Sequence, residues 1–306
     1  MRTNAVATWD SIGTSIVGMG KQTHLAEALD KANLNYYVGK ENITTSSGLI
    51  IPGKQATVKH YADGSTAVAG VVSPSYEIMQ NIDAFNFVDD LVDEGVEIIK
   101  AGETYTGMIY LIGKMPEVTV LGDTFQPNII FQNSHNGTKT LAATICLLRI
   151  ACQNQFASTF KNADNAIKLR HTRTLEQRLA LSQNILREAY TYAKTFGDDA
   201  EELAKMHISD VSVNKAFDLL IGAAKEELTQ RQQNNIEDMR TAFTAAYHAE
   251  DIQNFRGTAW GALNAYTDFA THREMKNTQH GAERKFMDVS FGDDTARFLR
   301  ILREVA

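Results

Sequence analysis

The sequence predicts an α+β protein: a β-rich amino-terminal half of antiparallel hairpins with one covering helix, followed by a mostly helical carboxy-terminal half. Three observations carry this expectation. All four prolines, Pro52, Pro74, Pro116 and Pro127, fall before residue 130. The same half holds most of the short β-branched and aromatic runs that favour strands. From Thr174 onward, apolar residues recur at spacings of three and four, the period of a helix face. The division is therefore a β-rich α+β domain over 1–173 and a helical domain over 174–306, packed on the first or continuing from it.

Taken in order, the runs NYYVGK, GLIIP, ATVKHYA and TAVAGVV between Leu34 and Val72 read as short strands of a meander, with Asp63-Gly64 as a hairpin turn of the primed type. A helix follows from about Gln80 to Glu94, with Ile82, Phe85, Val88, Leu91 and Val92 as its apolar stripe and Gly95 as its left-handed stop. VEIIKAG, GMIYLIGKM, VTVLG and NIIFQN then read as strands, and Asn136-Gly137 as a type I′ hairpin turn. Periodicity leaves the next segment open. Leu141, Ile145, Leu148 and Cys152 fit a helical stripe, whereas Leu141, Ala143, Ile145 and Leu147 fit one strand face, so a strand is expected at its start.

In the second half, Thr174 and Gln177 make a capping box for a long helix. Further helices are expected over about 199–207, 213–225, 230–248, 258–274 and 294–304, capped by Thr229, Thr258 and Asp293 where these precede them. Asn277 to Gly292 breaks the pattern and reads as a loop.

With 306 residues and 43% hydrophobic content, the chain can bury a sizeable core. It has no run of eighteen apolar residues to span a bilayer, and its start lacks the apolar core of a secretory signal, so no membrane partner is expected and the expected location is the cytoplasm. Cys146 and Cys152 are six apart without a CxxC spacing, which reads as two buried thiols. Phosphate-loop and dinucleotide signatures are absent, so no nucleotide cofactor is expected. No catalytic residue and no metal site is assigned. His135 and His171 have no third ligand at a recognisable interval, Cys152 has no sequence signal joining it to an imidazole, and Asp89-Asp90, Glu201-Glu202 and Asp293-Asp294 read as solvated helix charges.

Charge is the remaining signal. The chain carries a net −7, yet between Thr138 and Tyr190 eight basic residues stand against three acidic ones, leaving the rest of the chain at −12. Within this window Lys139, Arg149, Lys161, Lys168, Arg170, His171 and Arg173 are the candidate nucleic-acid contacts, with Phe156 and Phe160 among them. Cations for phosphates and rings for bases are what sequence-tolerant single-strand binding requires. The stripe Trp260, Leu263, Tyr266 and Phe269 reads instead as core, because the small residues around it suit close helix packing.

Several blocks together carry a resemblance: Trp9 with Gly13, VVSPSYEIMQN at 71–81, SHNGTKT at 134–140, ACQNQF at 151–156, KLRHT at 168–172 and GTAWGALNAYTDFATH at 257–272. They resemble a family of uncharacterised proteins, a domain of unknown function found on phages, prophages and plasmids, over nearly the whole chain. Family members usually carry a Trp-His-Gly-like stretch near the start and an Asp where this chain has Asn136. The resemblance implies a mobile-element setting in a bacterial host, and the outline is similar to phage single-strand annealing proteins. The resulting expectation is a non-enzymatic protein that binds or anneals single-stranded DNA in recombination or replication, as a homo-oligomer. Two alternatives stand beside it: an anti-defence or regulatory protein whose partner is a host or phage protein, and a small metal-dependent hydrolase or nuclease using His135 and His171.

Overall fold

The computed structural model describes residues 12–16, 23–150, 154–157, 166–168, 175–223, 227–273 and 280–306. In chain order the first half comprises β1 (Thr14–Ser15), α1 (Leu25–Lys31), β2 (Tyr37–Thr44), β3 (Ile50–His60), β4 (Thr66–Val72), α2 (Asn81–Ala84), α3 (Val88–Asp93), β5 (Glu97–Glu103), β6 (Met108–Lys114) and β7 (Val118–Val120). It continues with β8 (Asp123–Ser134), β9 (Ala142–Arg149), β10 (Asn154–Ala157) and β11 (Ala166–Lys168). The second half holds α4 (Leu175–Lys205), α5 (Asp210–Ile221), α6 (Gln230–Tyr247), a short 3-10 helix (Glu250–Phe255), α7 (Ala259–His272), α8 (Gly281–Phe291) and α9 (Asp294–Val305). This is the expected α+β class, strands first and helices after.

Two antiparallel sheets are formed. The larger has eight strands, ordered β1-β5-β6-β8-β9-β10, with β11 also on β9 and β7 also on β8. The smaller is the meander β2-β3-β4. The larger sheet is buried on both faces, which is why its strands read as continuous apolar runs. On β6, Ile109 and Leu111 join the main core, while Met108, Tyr110 and Ile112 belong to a second cluster on the opposite face. β9 alternates likewise, with Ala143, Ile145 and Leu147 on the first face and Cys146 and Leu148 on the second. Its strand pattern therefore prevails over the helical one, and Cys146 is a free buried thiol, as expected. Cys152 lies outside the described residues.

Helices α3, α4 and α7 cover the first face. Phe87 packs edge-on against Phe131, and Phe196 of α4 sits between Phe125 and Trp260. One core cluster runs from Leu25 through the sheet to Leu302 of α9, so the strands and helices share it. The stripe Trp260, Leu263, Tyr266 and Phe269 is buried within it. On the second face α8 seats Phe286 against the Tyr110 ring.

Four expectations are corrected. The covering helix over 80–94 is two short helices, because the chain turns at 85–87 and sends both Phe85 and Phe87 into the core. Gly95 does end it, with φ 96°, and its N–H and that of Val96 bond to the carbonyls of Val92 and Leu91 in a Schellman motif. GLIIP and ATVKHYA form one strand, β3, whose pairing with β2 shifts between Asn42 and Thr44 to pass Pro52 and Gly53. At Asp63-Gly64 only Gly64 has positive φ, and its N–H bonds to the Tyr61 carbonyl, so the hairpin closes through a tight turn with a glycine bulge rather than a primed turn. The expected loop at 277–292 contains α8, whose apolar side reduces to Phe286, Met287 and Phe291 against a sheet already closed on its other face.

The remaining helices follow their signals. α4 runs 31 residues and absorbs the helix expected at 199–207. Thr229 and Gln232 form the capping box of α6, and Thr258 accepts the Gly261 N–H to cap α7. Asp293 holds the N-cap position of α9 without a side-chain bond. Thr174 lies outside the described residues.

Pro127 stands inside β8, in register with Leu147 of β9 and bonded on its other side to Met115 just past β6, where a proline removes a ladder donor. Its carbonyl accepts the Met115 N–H, so its nitrogen faces the Met115 carbonyl with no hydrogen to give. The Gln126 side-chain amide supplies one, donating to that same carbonyl.

Candidate nucleic-acid interface

The loop from His135 to Leu141 joins β8 to β9 and is the point where the two sheets meet. It is not the two-residue type I′ turn that Asn136-Gly137 suggests, since only Gly137 has positive φ. Its shape comes from side chains instead. Ser134 Oγ donates to the Lys139 carbonyl and accepts the Lys139 N–H at 3.0 Å. Asn136 Oδ1 accepts the N–H and hydroxyl of Thr138, the local bonding that lets Asn replace a backbone turn. Asn136 Nδ2 then reaches across to the Thr106 carbonyl at 2.8 Å.

The small sheet grips this loop. Thr57 Oγ1 on β3 donates to the His135 carbonyl at 2.8 Å, and Tyr76 OH donates to the Ser134 carbonyl at 3.0 Å. Gly70 on β4 faces Asn136 so closely that a Cβ there would lie 2.4 Å from the Asn136 Cβ. Two of the blocks that carry the resemblance, 71–81 and 134–140, thus touch.

Under the loop lies a polar cluster that sequence reasoning missed. His135 is 1% exposed, and its Nε2 lies 3.0 Å from Asn81 Oδ1. Asn81 uses its Nδ2 on the Leu34 carbonyl, so Oδ1 is an acceptor and His135 carries its proton on Nε2. Its Nδ1 is then a bare lone pair with no partner among the described residues. Burial first, and the nearby Lys59 charge second, push the imidazole down to about 4. Lys59 itself pairs with Glu103 at 2.5 Å, and Tyr36 OH donates to the other Glu103 oxygen at 3.1 Å. Burial, then the Glu103 charge, raise the Tyr36 phenol above its ordinary range.

Among the described residues His135 is buried, bonded to Asn81 and held neutral, so it serves there as a joint between the two sheets. His171 lies outside the described residues. Among the described residues no group of three His, Cys, Asp or Glu could hold a metal. No local pattern announces the cluster: Lys59 stands between Val58 and His60 on β3, and its partner Glu103 is 44 residues away.

The basic window divides. Arg149 is corrected outright: it is 2% exposed, held by Asp123 Oδ2 at 2.7 Å and by Asp251 Oδ2 at 3.0 Å, and it also donates to the Asp251 carbonyl. A buried guanidinium whose Nε, Nη1 and Nη2 all donate to Asp123 and Asp251 is a tie between β9 and the 3-10 helix, not a phosphate contact. Lys139 is half-buried in the loop, with no salt bridge among the described residues. Lys168 ends β11, in register with Ala142 at the start of β9, three residues past Lys139. Phe156 of β10 stands in register with Leu147. Lys161, Arg170, His171 and Arg173 lie outside the described residues. The described part of the window therefore brings Lys139 and Lys168 to one end of β9, beside the loop, and removes Arg149 to the other end.

No helix of the described residues is long and apolar enough to cross a membrane. No curated protein and no solved structure matches the chain. The family described as a domain of unknown function, DUF932, matches residues 68–290, a span that takes in the loop, both halves of the core and the whole basic window, and the chain belongs to it.

Proposed function

We propose that this member of the DUF932 family is a non-enzymatic protein of a phage or plasmid that binds or anneals single-stranded DNA in recombination or replication, in the cytoplasm of a bacterial host. The observation that carries this reading is the register of β11 on β9, which sets Lys168 beside the loop that bears Lys139. Arg170, His171 and Arg173 come after Lys168 within five residues of sequence. Lys139 and Lys168 at one end of a sheet, in an otherwise acidic chain, favour a local, salt-sensitive contact with phosphates. Fluorescence anisotropy of a labelled single-stranded oligonucleotide tests it. Micromolar binding is expected, weakening steeply with salt, and Lys139→Glu with Lys168→Glu lowers affinity at least tenfold at low salt. Absence of micromolar binding, or binding indifferent to salt, rejects it.

A second reading is an anti-defence or regulatory protein that binds a host protein. It is favoured by the exposed tip of the β2-β3 hairpin, where Leu49, Ile50 and Ile51 face solvent. A stable co-purifying host protein that is lost on Leu49→Ser with Ile50→Thr supports it, and retention by that variant rejects it.

A further inference from the structure

Asn136-Gly137 is the sole Asn-Gly pair of the sequence, and it sits in the loop where the two sheets meet. Such a pair has a chemistry of its own, because glycine offers an unhindered backbone nitrogen to the side-chain carboxamide just before it. In the fold both groups are occupied. Asn136 Nδ2 donates to the Thr106 carbonyl at 2.8 Å, and Oδ1 accepts the N–H and hydroxyl of Thr138 at 3.1 and 2.6 Å. On the other side the Gly137 N–H is directed at the Tyr76 phenol oxygen; burial raises that phenol, and this contact draws it part of the way back. The phenol is itself fixed by donating to the Ser134 carbonyl at 3.0 Å.

The surroundings require an amide at this position. A Cβ placed on Gly107 would lie 2.7 Å from Asn136 Nδ2 and 3.9 Å from Glu103 Oε1, so the amide shares a corner with a carboxylate. With the Thr106 carbonyl beside it, that corner takes a donor; an oxygen in the place of Nδ2 would face one acceptor and one like charge. Behind the loop, a Cβ on Gly70 would lie 2.7 Å from Asn136 Cα, so the backbone has no room to take another course.

We propose that Asn136 is a site of spontaneous covalent modification whose rate the joint between the sheets controls. When the loop leaves the small sheet, the Gly137 nitrogen attacks Asn136 Cγ: the N–Cγ bond forms, the Cγ–Nδ2 bond breaks, and Nδ2 departs as ammonia with the proton that the nitrogen gave up. Water, the sole co-reactant, then opens the cyclic imide. Cleavage at Cγ leaves aspartate; cleavage at the backbone carbonyl of residue 136 leaves isoaspartate, with the chain now running through Cβ and Cγ. Neither product fits the closed joint. The first turns a carboxylate oxygen toward the Thr106 carbonyl and Glu103, and the second lengthens a backbone already pressed against Gly70. An opening thereby becomes irreversible. The inference stands apart from DNA binding and does not require it.

Mass spectrometry of the tryptic peptide 115–139, taken from the full chain after incubation at mildly alkaline pH, is the test. A reaction that passes through an opened joint runs at the unfolded rate multiplied by the open fraction, so conversion at Asn136 is expected to be at least about tenfold slower in the folded chain than in denaturing urea. Tyr76→Phe removes the oxygen that the Gly137 N–H faces. It is expected to speed conversion of the folded chain at least about threefold, with the far-ultraviolet spectrum retained and the rate in urea unchanged. Converted chain, separated by its added negative charge, is expected to melt at a lower temperature than unconverted chain and to exchange the amides of residues 134–139 faster. Equal rates in the folded and urea-treated chain, which need no variant to measure, overturn the inference. So does a folded Tyr76→Phe chain that converts no faster, or a converted chain that melts like the unconverted one.

Discussion

The eight-stranded sheet has helices on both faces, whereas the three-stranded sheet has one face on the core and the other in water. Both are antiparallel meanders rich in Val, Ile and Ala, and strand composition does not distinguish them. The difference lies in the elements that come after each in the chain. β5 to β9 are succeeded by long amphipathic helices that fold back over them, and their side chains lie in two packed clusters. β2 to β4 are succeeded only by the short α2 and α3, so Val38, Thr57, Lys59 and Val72 are buried while Tyr37, Val68 and Val71 remain exposed. Coverage by later elements decides which apolar strand becomes core and which becomes surface.

The sharpest way to break the large sheet is through its only described buried arginine. Arg149→Ala strands Asp123 and Asp251 beside a cavity, and urea unfolding is expected to show a loss of about 3–5 kcal/mol. No single change on the exposed face of the small sheet should approach that.

Acid attacks the joint between the sheets. An unfolded histidine titrates near 6.5, while His135 in the fold titrates at about 4. Between these values the unfolded chain takes up a proton that the folded chain refuses, so stability is complete above about 6.5 and falls as the pH drops toward 4. The loss amounts to about 3 kcal/mol at most. Urea midpoints at pH 7 and 4.5 measure it, and His135→Gln is expected to flatten the difference relative to the unaltered chain.

At the same joint, Gly70→Ala drives a methyl into Asn136 and is expected to cost about 1–3 kcal/mol in the same assay. The hairpin tip should be nearly silent. Leu49→Ser and Ile50→Thr, at residues 67% and 60% exposed, are expected to shift stability by less than about 0.5 kcal/mol. A larger loss at the tip would mean that it is core in the working state, and the contrast between the sheets would fail.

Local signals were legible in helix caps, stops and strand faces, though not in the turn types at Asp63-Gly64 and Asn136-Gly137. The Thr229 and Thr258 caps, the Gly95 stop and the strand face of Ala143, Ile145 and Leu147 could be read because each involves residues a few positions apart. Long-range pairing could not be read. Nothing near Arg149 in sequence announces Asp251, which lies 102 residues away, and so a buried tie looked like one more cation in a basic window. His135 looked like a polar turn residue for the same reason: its partner Asn81 is 54 residues distant. α8 was hidden because only three apolar residues serve a face that the sheet had already half closed.

Gln126 and Pro127 set a condition on how β8 can assemble. A strand whose apolar residues all look alike could slide along its neighbours by two positions without exchanging its faces. Here a slide would set the ring nitrogen against a different carbonyl and carry the glutamine amide away from the acceptor it serves, leaving oxygens buried with no hydrogen to receive. The imino acid thus works as a notch, favouring one alignment of the central strand over its near neighbours.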